Sequence, residues 1–111
     1  MAIELNPKYA LFYYNRGQAK DHKGDYDNAI SDYTRAIELN PKDSKSYNNR
    51  GFAKKHKGEI DEAISDYTKA IEINPKDMYA YFNRGIAKEK INDETGADQD
   101  FKKAKELGYK Q

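Results

Sequence analysis

Arg16, Arg50 and Arg84 recur every 34 residues, and so do Asp32, Asp66 and Asp100. Each Arg–Asp couple is centred on Gly24, Gly58 or Asn92, with eight residues on either side. If the chain folds back at those centres, opposite charges meet in mirrored slots, so an ion pair inside each hairpin is expected. The alternative is two unrelated surface charges, which would contribute little to stability. Asn15, Asn49 and Asn83 also recur in one slot. An asparagine amide offers donor and acceptor together, so a row of three suits the backbone of an extended ligand. It equally suits local bonds within each repeat. His22 and His56 occupy equivalent slots, but the third such slot holds Lys90, a poor metal ligand. A metal site would need further converging ligands, so none is expected. The chain has no Gly-rich phosphate loop, no HExxH, and no nucleophile beside a base, so neither catalysis nor a cofactor is expected.

The elements that would position these residues follow from a repeat. "AIELNPK" at 2–8 returns at 36–42, and as "AIEINPK" at 70–76. Three units result: 10–43, 44–77 and 78–111, preceded by residues 1–9. Units one and two share 23 of 34 positions, units two and three only 12, which marks the third as different in surroundings. Each unit reads as two helices. The first helix A is expected over Ala10–Lys23, with Gly24 as a left-handed stop and Asp25 placed to cap helix B. In helix B, Tyr26, Ala29, Ile30, Tyr33, Ala36 and Ile37 form one apolar stripe, and Pro41 prevents continuation. Gly58, Glu59 and Pro75 repeat this punctuation in unit two; Asn92 and Asp93 do so in unit three. Ala19 and Ala29, Ala53 and Ala63, and Ala87 and Ala97 mirror each other five residues from the turns. They are expected to let the two helices of one hairpin approach closely.

At this point the chain resembles a tetratricopeptide repeat (TPR) array, whose 34-residue unit carries W-x2-L-G-x2-Y, A-x3-F and P. Tyr13, Tyr47 and Tyr81 stand in the tryptophan slot, and Gly17, Gly51 and Gly85 match the glycine. Ala29/Tyr33, Ala63/Tyr67 and Ala97/Phe101 match the alanine–aromatic pair, and Pro7, Pro41 and Pro75 the proline. Arginine replaces the leucine, and Lys20, Lys54 and Lys88 replace the tyrosine. The mirrored aspartates compensate the arginines, whereas the lysines have no evident partner and are expected to snorkel. The resemblance implies an all-α solenoid of antiparallel helix pairs, stacked as a right-handed superhelix with the A helices lining a concave groove. It also implies that the groove holds a peptide or partner segment. The corresponding slots are Leu11, Tyr14, Asn15, Gln18 and His22, then Lys45, Asn48, Asn49, Phe52 and His56, then Tyr79, Phe82, Asn83, Ile86 and Lys90. One subclass binds acidic chaperone tails through a carboxylate clamp of Lys, Asn, Asn, Lys and Arg. The matching positions here are Tyr14, Gln18, Asn49, Tyr79 and Asn83; only Asn49 agrees, so that ligand class is disfavoured.

Composition sets outer limits. Among 111 residues, 35% are charged, yet the net charge is only +1, and mean hydropathy is −1.16. That balance gives no electrostatic reason to expect nucleic acid. There is no cysteine and no apolar run long enough for a membrane span, so a cytoplasmic protein is expected. In unit three, Asp98 and Lys105 replace the isoleucines of helix B, giving a polar outer face expected at the end of an array. "MAIELNPK" resembles the second half of a helix B, as in a longer array. Leu11, Phe12 and Tyr14 are apolar or aromatic where unit two has Lys45, Ser46 and Asn48. A homodimer through this front end is therefore the rival expectation, with the groove empty and the chain acting as an assembly element.

Overall fold

The computed structural model describes residues 7–110. Its six helices are α1 (Pro7–His22), α2 (Tyr26–Leu39), α3 (Ser44–His56), α4 (Ile60–Ile73), α5 (Met78–Lys90) and α6 (Glu94–Glu106). The described residues contain no strand. They form three helical hairpins: α1 packs on α2, α3 on α4 and α5 on α6. The hairpins stack because α3 also packs on α2, and α5 on α4. The stack measures 44 × 26 × 25 Å. No described helix is long and apolar enough to cross a membrane. The alternate use of one helix by two neighbours is what makes such a solenoid one continuous core.

Glycine sets the turns and the closeness of the hairpins. Gly24 (φ +79°), Gly58 (φ +88°) and Asn92 (φ +64°) adopt the left-handed conformation that closes each A–B turn. Within the hairpins, a Cβ on Gly17, Gly51 or Gly85 would lie 2.8, 2.9 or 2.7 Å from the ring of Tyr33, Tyr67 or Phe101. The aromatic of helix B thus lies directly on the backbone of helix A. Tyr33 and Tyr67 are fully buried there.

Four expectations change on the structure. Helix α1 starts at Pro7, not Ala10, because its cap slot holds Tyr9 where units two and three have Asp43 and Asp77. With no capping carboxylate to stop it, the helix runs back to proline, which is tolerated in a first turn. Residues 7–9 therefore belong to α1; Ile3 and Leu5, assigned to a preceding helix, lie outside the described residues. Asp25 and Glu59 stand at the N-caps of α2 and α4 but make no side-chain cap bond. Asp25 instead accepts from Asn28 Nδ2 at 2.9 Å, whereas Asp93 does cap, accepting from the Gly96 N–H at 3.0 Å.

The alanines of the A helices also serve a contact that their mirror symmetry does not suggest. Ala87 of α5 packs with Ala63 and Tyr67 of α4, the preceding repeat. Ala53 and Ala87 are fully buried, while Ala19 is exposed. The small side chain at this slot admits the neighbouring repeat, while Ala63 also stands close to its own hairpin partner, its carbonyl oxygen 3.1 Å from the position of a Cβ on Gly51. Asp98 and Lys105 are exposed, as expected of a polar end, but Lys105 borders a cavity floored by Phe82, Phe101 and Tyr109.

Candidate functional site

The mirrored charges form the frame of the A-helix face. Asp32, Asp66 and Asp100 are buried on α2, α4 and α6. Arg50 Nε and Nη2 donate to the two oxygens of Asp66 at 2.9 and 2.8 Å. Arg84 does the same to Asp100 at 2.7 Å for both bonds, and Arg16 to Asp32 at 2.9 and 2.8 Å. Each is a two-bond fork, the strongest geometry available to this pair. The Arg16 bonds hold the Asp32 carboxyl below its ordinary range. The lysines left without a partner by the sequence find one here. Lys20, Lys54 and Lys88 reach the same three carboxylates at 3.1, 3.3 and 3.2 Å. Each aspartate therefore neutralises two cations in the slots where the family pattern has leucine and tyrosine.

Two arginines also join repeats. Arg50 Nη1 donates to Thr34 Oγ1 at 3.2 Å, and Arg84 Nη1 to Thr68 Oγ1 at 3.3 Å. This holds α3 and α5 in register on the preceding helix B.

Along the A-helix face lie two hollows that share Asn49. One, of about 230 Å³, lies between α1 and α3 and is lined by Gln18, Asp21, His22, Tyr33, Asn49 and Phe52. The other, of about 560 Å³, lies between α3 and α5; Lys45, Asn48, Asn49, Tyr79 and Asn83 are among its lining residues. Met78, Asp77 and Asn74 complete its wall from the loop before α5 and the start of that helix. Sequence reasoning missed them: Asn74 and Asp77 precede the A helix, and Met78 opens it one residue before the first groove slot, Tyr79.

Two of the three asparagines in the row, Asn49 and Asn83, bond between repeats rather than within one unit. Asn49 Nδ2 donates to Tyr14 Oη at 3.1 Å, and Asn83 Nδ2 donates to Asn48 Oδ1 at 3.3 Å. Gln18 Nε2 also donates to Tyr14 Oη at 3.3 Å. Asn15 is exposed, as are His22, Lys45 and Lys90. Leu11 and Tyr79 are more than half exposed, Phe52 about a third, and Ile86 is half-buried. His56 stacks on Tyr26 with ring centroids 5.0 Å apart and meets Phe52 edge-on. Phe82 stacks on Tyr109 at 4.1 Å, at the far edge of the face. Among the described residues, no cluster of His, Asp and Glu is built to hold a metal ion.

Asp21 and Lys55 share one slot with opposite consequences. The Tyr33 hydroxyl donates to Asp21 Oδ2 at 3.3 Å, and burial raises the Asp21 carboxyl above its ordinary range. Lys55 takes that slot in unit two, 4.8 Å over the Phe52 ring. Its burial, with Lys90 nearby, lowers its pKa. The Tyr67 hydroxyl is left buried without a hydrogen-bond partner.

A stack of helical hairpins with a continuous face of A-helix side chains defines a helical-repeat solenoid. The tetratricopeptide repeat model TPR_1 matches residues 10–43 and 44–77, and TPR_17, also described as a tetratricopeptide repeat, matches 66–99. The chain belongs to the tetratricopeptide repeat family. Solved structures agree. The first TPR of Spaghetti (RPAP3), bound to the HSP90 peptide SRMEEVD, is 27% identical with a TM-score of 0.92, over 96% of this chain and 85% of that one. The Arabidopsis OM64 TPR domain is 30% identical with a TM-score of 0.90, over 92% and 84% of the two chains. The TPR2AB domain of yeast Sti1, in complex with an HSP90 peptide, is 30% identical with a TM-score of 0.90, over 93% of this chain and 40% of that one. No curated protein sequence gives a significant match.

Proposed function

We propose that this chain is a non-catalytic protein-interaction module that holds an extended peptide segment along the A-helix face. The family and its peptide-bound structural relatives support the general class. The carrying observation is the pair of hollows joined at Asn49, where amides from successive repeats line a path between aromatic walls. Asn49 gives one donor to Tyr14, and its amide oxygen remains to accept from a ligand N–H. Phe52 and Tyr79 supply exposed aromatic surface for anchors of the partner. Selection of binders from a random peptide library tests this. The selected peptides should lose binding to Asn49→Ala and Phe52→Ala; unchanged binding to both variants would overturn the groove assignment.

On this reading a chaperone tail held by a carboxylate clamp is a disfavoured ligand. Tyr14, Gln18, Tyr79 and Asn83 bring no cation to the clamp slots, and Asn49 and Asn83 are already bonded to the preceding repeat. Titration with SRMEEVD should show no binding up to about 1 mM, near −4 kcal/mol. Micromolar affinity would refute the reading.

A second reading has its own observation. Tyr9, Leu11 and Phe12 are 61%, 57% and 52% exposed on α1. Burying such side chains is worth about 1.5–3 kcal/mol each, enough for a front-to-front homodimer. Sedimentation should show a concentration-dependent dimer, weakened by Leu11→Lys with Phe12→Ser. A strict monomer at about 0.5 mM, near −4.5 kcal/mol, removes this reading and leaves the groove.

A further inference from the structure

The two boundaries between repeats differ in charge at one slot. Across these boundaries residues 35 apart meet: Tyr14 with Asn49, and Asn48 with Asn83. In the last turns of the A helices the same offset relates Asp21 to His56 and Lys55 to Lys90. At the first boundary, then, a carboxylate lies in the field of an imidazole. At the second, one ammonium lies in the field of another. Like charges at that range repel, and the burial of Lys55 adds to the cost. Among the described residues neither lysine takes part in an ion pair.

Lys55 is half-buried, with its ammonium 4.8 Å over the Phe52 ring. Phe52 lines the smaller hollow between α1 and α3, so the ammonium stands on an aromatic wall of that hollow. A helix C-terminus favours basic residues in its last turn. That preference does not account for a lysine laid across a ring beside a second lysine. The end carbonyls are in any case taken. Those of Lys54 and Lys55 accept from the Glu59 and Gly58 N–H groups, and those of Lys88 and Glu89 from Asp93 and Asn92.

The acids on the surrounding elements are engaged elsewhere. Asp21 accepts from the Tyr33 hydroxyl at 3.3 Å. Glu59 faces Lys57 at 3.6 Å, which also pairs with Asp27. Asp93 caps α6. Glu89, next to Lys90, is exposed and forms no ion pair with either lysine. An anion arriving at Lys55 and Lys90 would therefore exchange one repulsion for two attractions.

We propose that Lys55 and Lys90, beside Phe52, form an anion-binding subsite that takes a carboxylate or phosphoryl side chain from within the bound segment. The proposal rests on the groove reading and names the chemistry of its ligand. It requires no free C-terminus. It also lies in the last turns of α3 and α5, away from the clamp slots Asn49, Tyr79 and Asn83 in the first halves of those helices.

The probes are binders selected from a random peptide library against the 111-residue protein and prepared with amidated C-termini. They should carry an acidic residue at a fixed distance from an apolar anchor. Replacing that acid by its amide should weaken binding about tenfold in calorimetry. In the variant Lys55→Gln with Lys90→Gln, checked by circular dichroism for intact folding, the same replacement should change nothing. Lys90→Gln alone, at an exposed position, should already reduce the dependence. Phosphoserine in place of the acid separates the sources: tighter binding than the carboxylate marks a phosphorylated segment, weaker binding an acidic one. Binders that need Asn49 and Phe52 but no acid overturn this subsite and leave the groove reading. Acid-dependent binders indifferent to Asn49→Ala leave the subsite and overturn the path through Asn49. Acid dependence that persists without both lysines, or a library that yields no binder, overturns the proposal.

Discussion

Removing the Asp66 carboxylate tests the frame of the whole array. Asp66 accepts from Arg50 at 2.9 and 2.8 Å and faces Lys54 Nζ at 3.3 Å. Both cationic side chains are only 17% exposed. Asp66→Ala leaves two largely buried cations with no counter-charge, a loss expected to cost about 3 kcal/mol or more. With a urea slope near 1.5 kcal/mol/M, the unfolding midpoint should fall by about 2 M. Asp32→Ala should cost clearly less, because Arg16 is 45% exposed and its charge can be taken up by water. The triple replacement Arg50→Leu, Lys54→Tyr, Asp66→Leu removes all three charges together and restores the apolar residue types of the family pattern at the first two slots. It should be near neutral or stabilising, since the burden of a buried ion cluster is its desolvation. The reasoning fails if Asp66→Ala shifts the midpoint no more than a surface change, or if Asp32→Ala is equally costly.

Three further outcomes follow from the same packing. Tyr67→Phe removes a buried hydroxyl without a partner and should be neutral or stabilising by up to about 1 kcal/mol, whereas Tyr33→Phe breaks the bond to Asp21 and should cost about 1 kcal/mol; equal effects in thermal unfolding would refute this. Gly51→Ala gains up to about 1 kcal/mol of helix propensity, but its Cβ would stand 2.9 Å from the Tyr67 ring, so net destabilisation of about 1–2 kcal/mol is expected in denaturant titration. Asp32 is depressed in the folded state, so its contribution is present above the ordinary carboxylate range and lost as pH falls through its folded pKa; Asp21 is raised, so the folded state takes up its proton first and gains stability over the same descent. Asp21→Asn should therefore make stability fall more steeply between about pH 5 and 3, and an unchanged slope would show that the two carboxyls are not opposed.

The B helices were legible in the sequence because they carry large apolar residues at helical spacing: Ala29, Tyr33, Ala36 and Ile37 read as a stripe and are buried as one. The A helices were not legible by that means. α3 buries Ser46, Gly51 and Ala53, small residues with no apolar periodicity, and only the 34-residue repeat exposes their role. The mirrored Arg–Asp slots could be paired by symmetry about the turns. Lys54 could not, because it shares a carboxylate already assigned to Arg50. For the alanines mirror symmetry was incomplete. It cannot reveal a contact with the neighbouring repeat, and Ala87 makes one. The loop wall of the larger hollow, at Asn74 and Asp77, lies off the A-helix pattern altogether.

The bonds at the walls of the two hollows are also bonds that join the repeats. Asn49 reaches back to Tyr14, and Asn83 reaches back to Asn48, each crossing from one hairpin to its predecessor. Behind them, Arg50 and Arg84 cross the same boundaries to Thr34 and Thr68. In a stack whose stability is a sum of repeats and nearest-neighbour interfaces, a ligand that bonds Asn49 acts directly on one such interface. If it displaces the Tyr14 bond, part of its binding energy goes into separating repeats one and two. If it bonds the amide oxygen and leaves the Tyr14 contact, it tightens them. The second course retains every existing bond and adds one, so occupancy of the groove should stiffen the α1–α3 boundary. Amide exchange in α3 should slow on binding, by a larger factor than in α6, which lies beyond the shared asparagine.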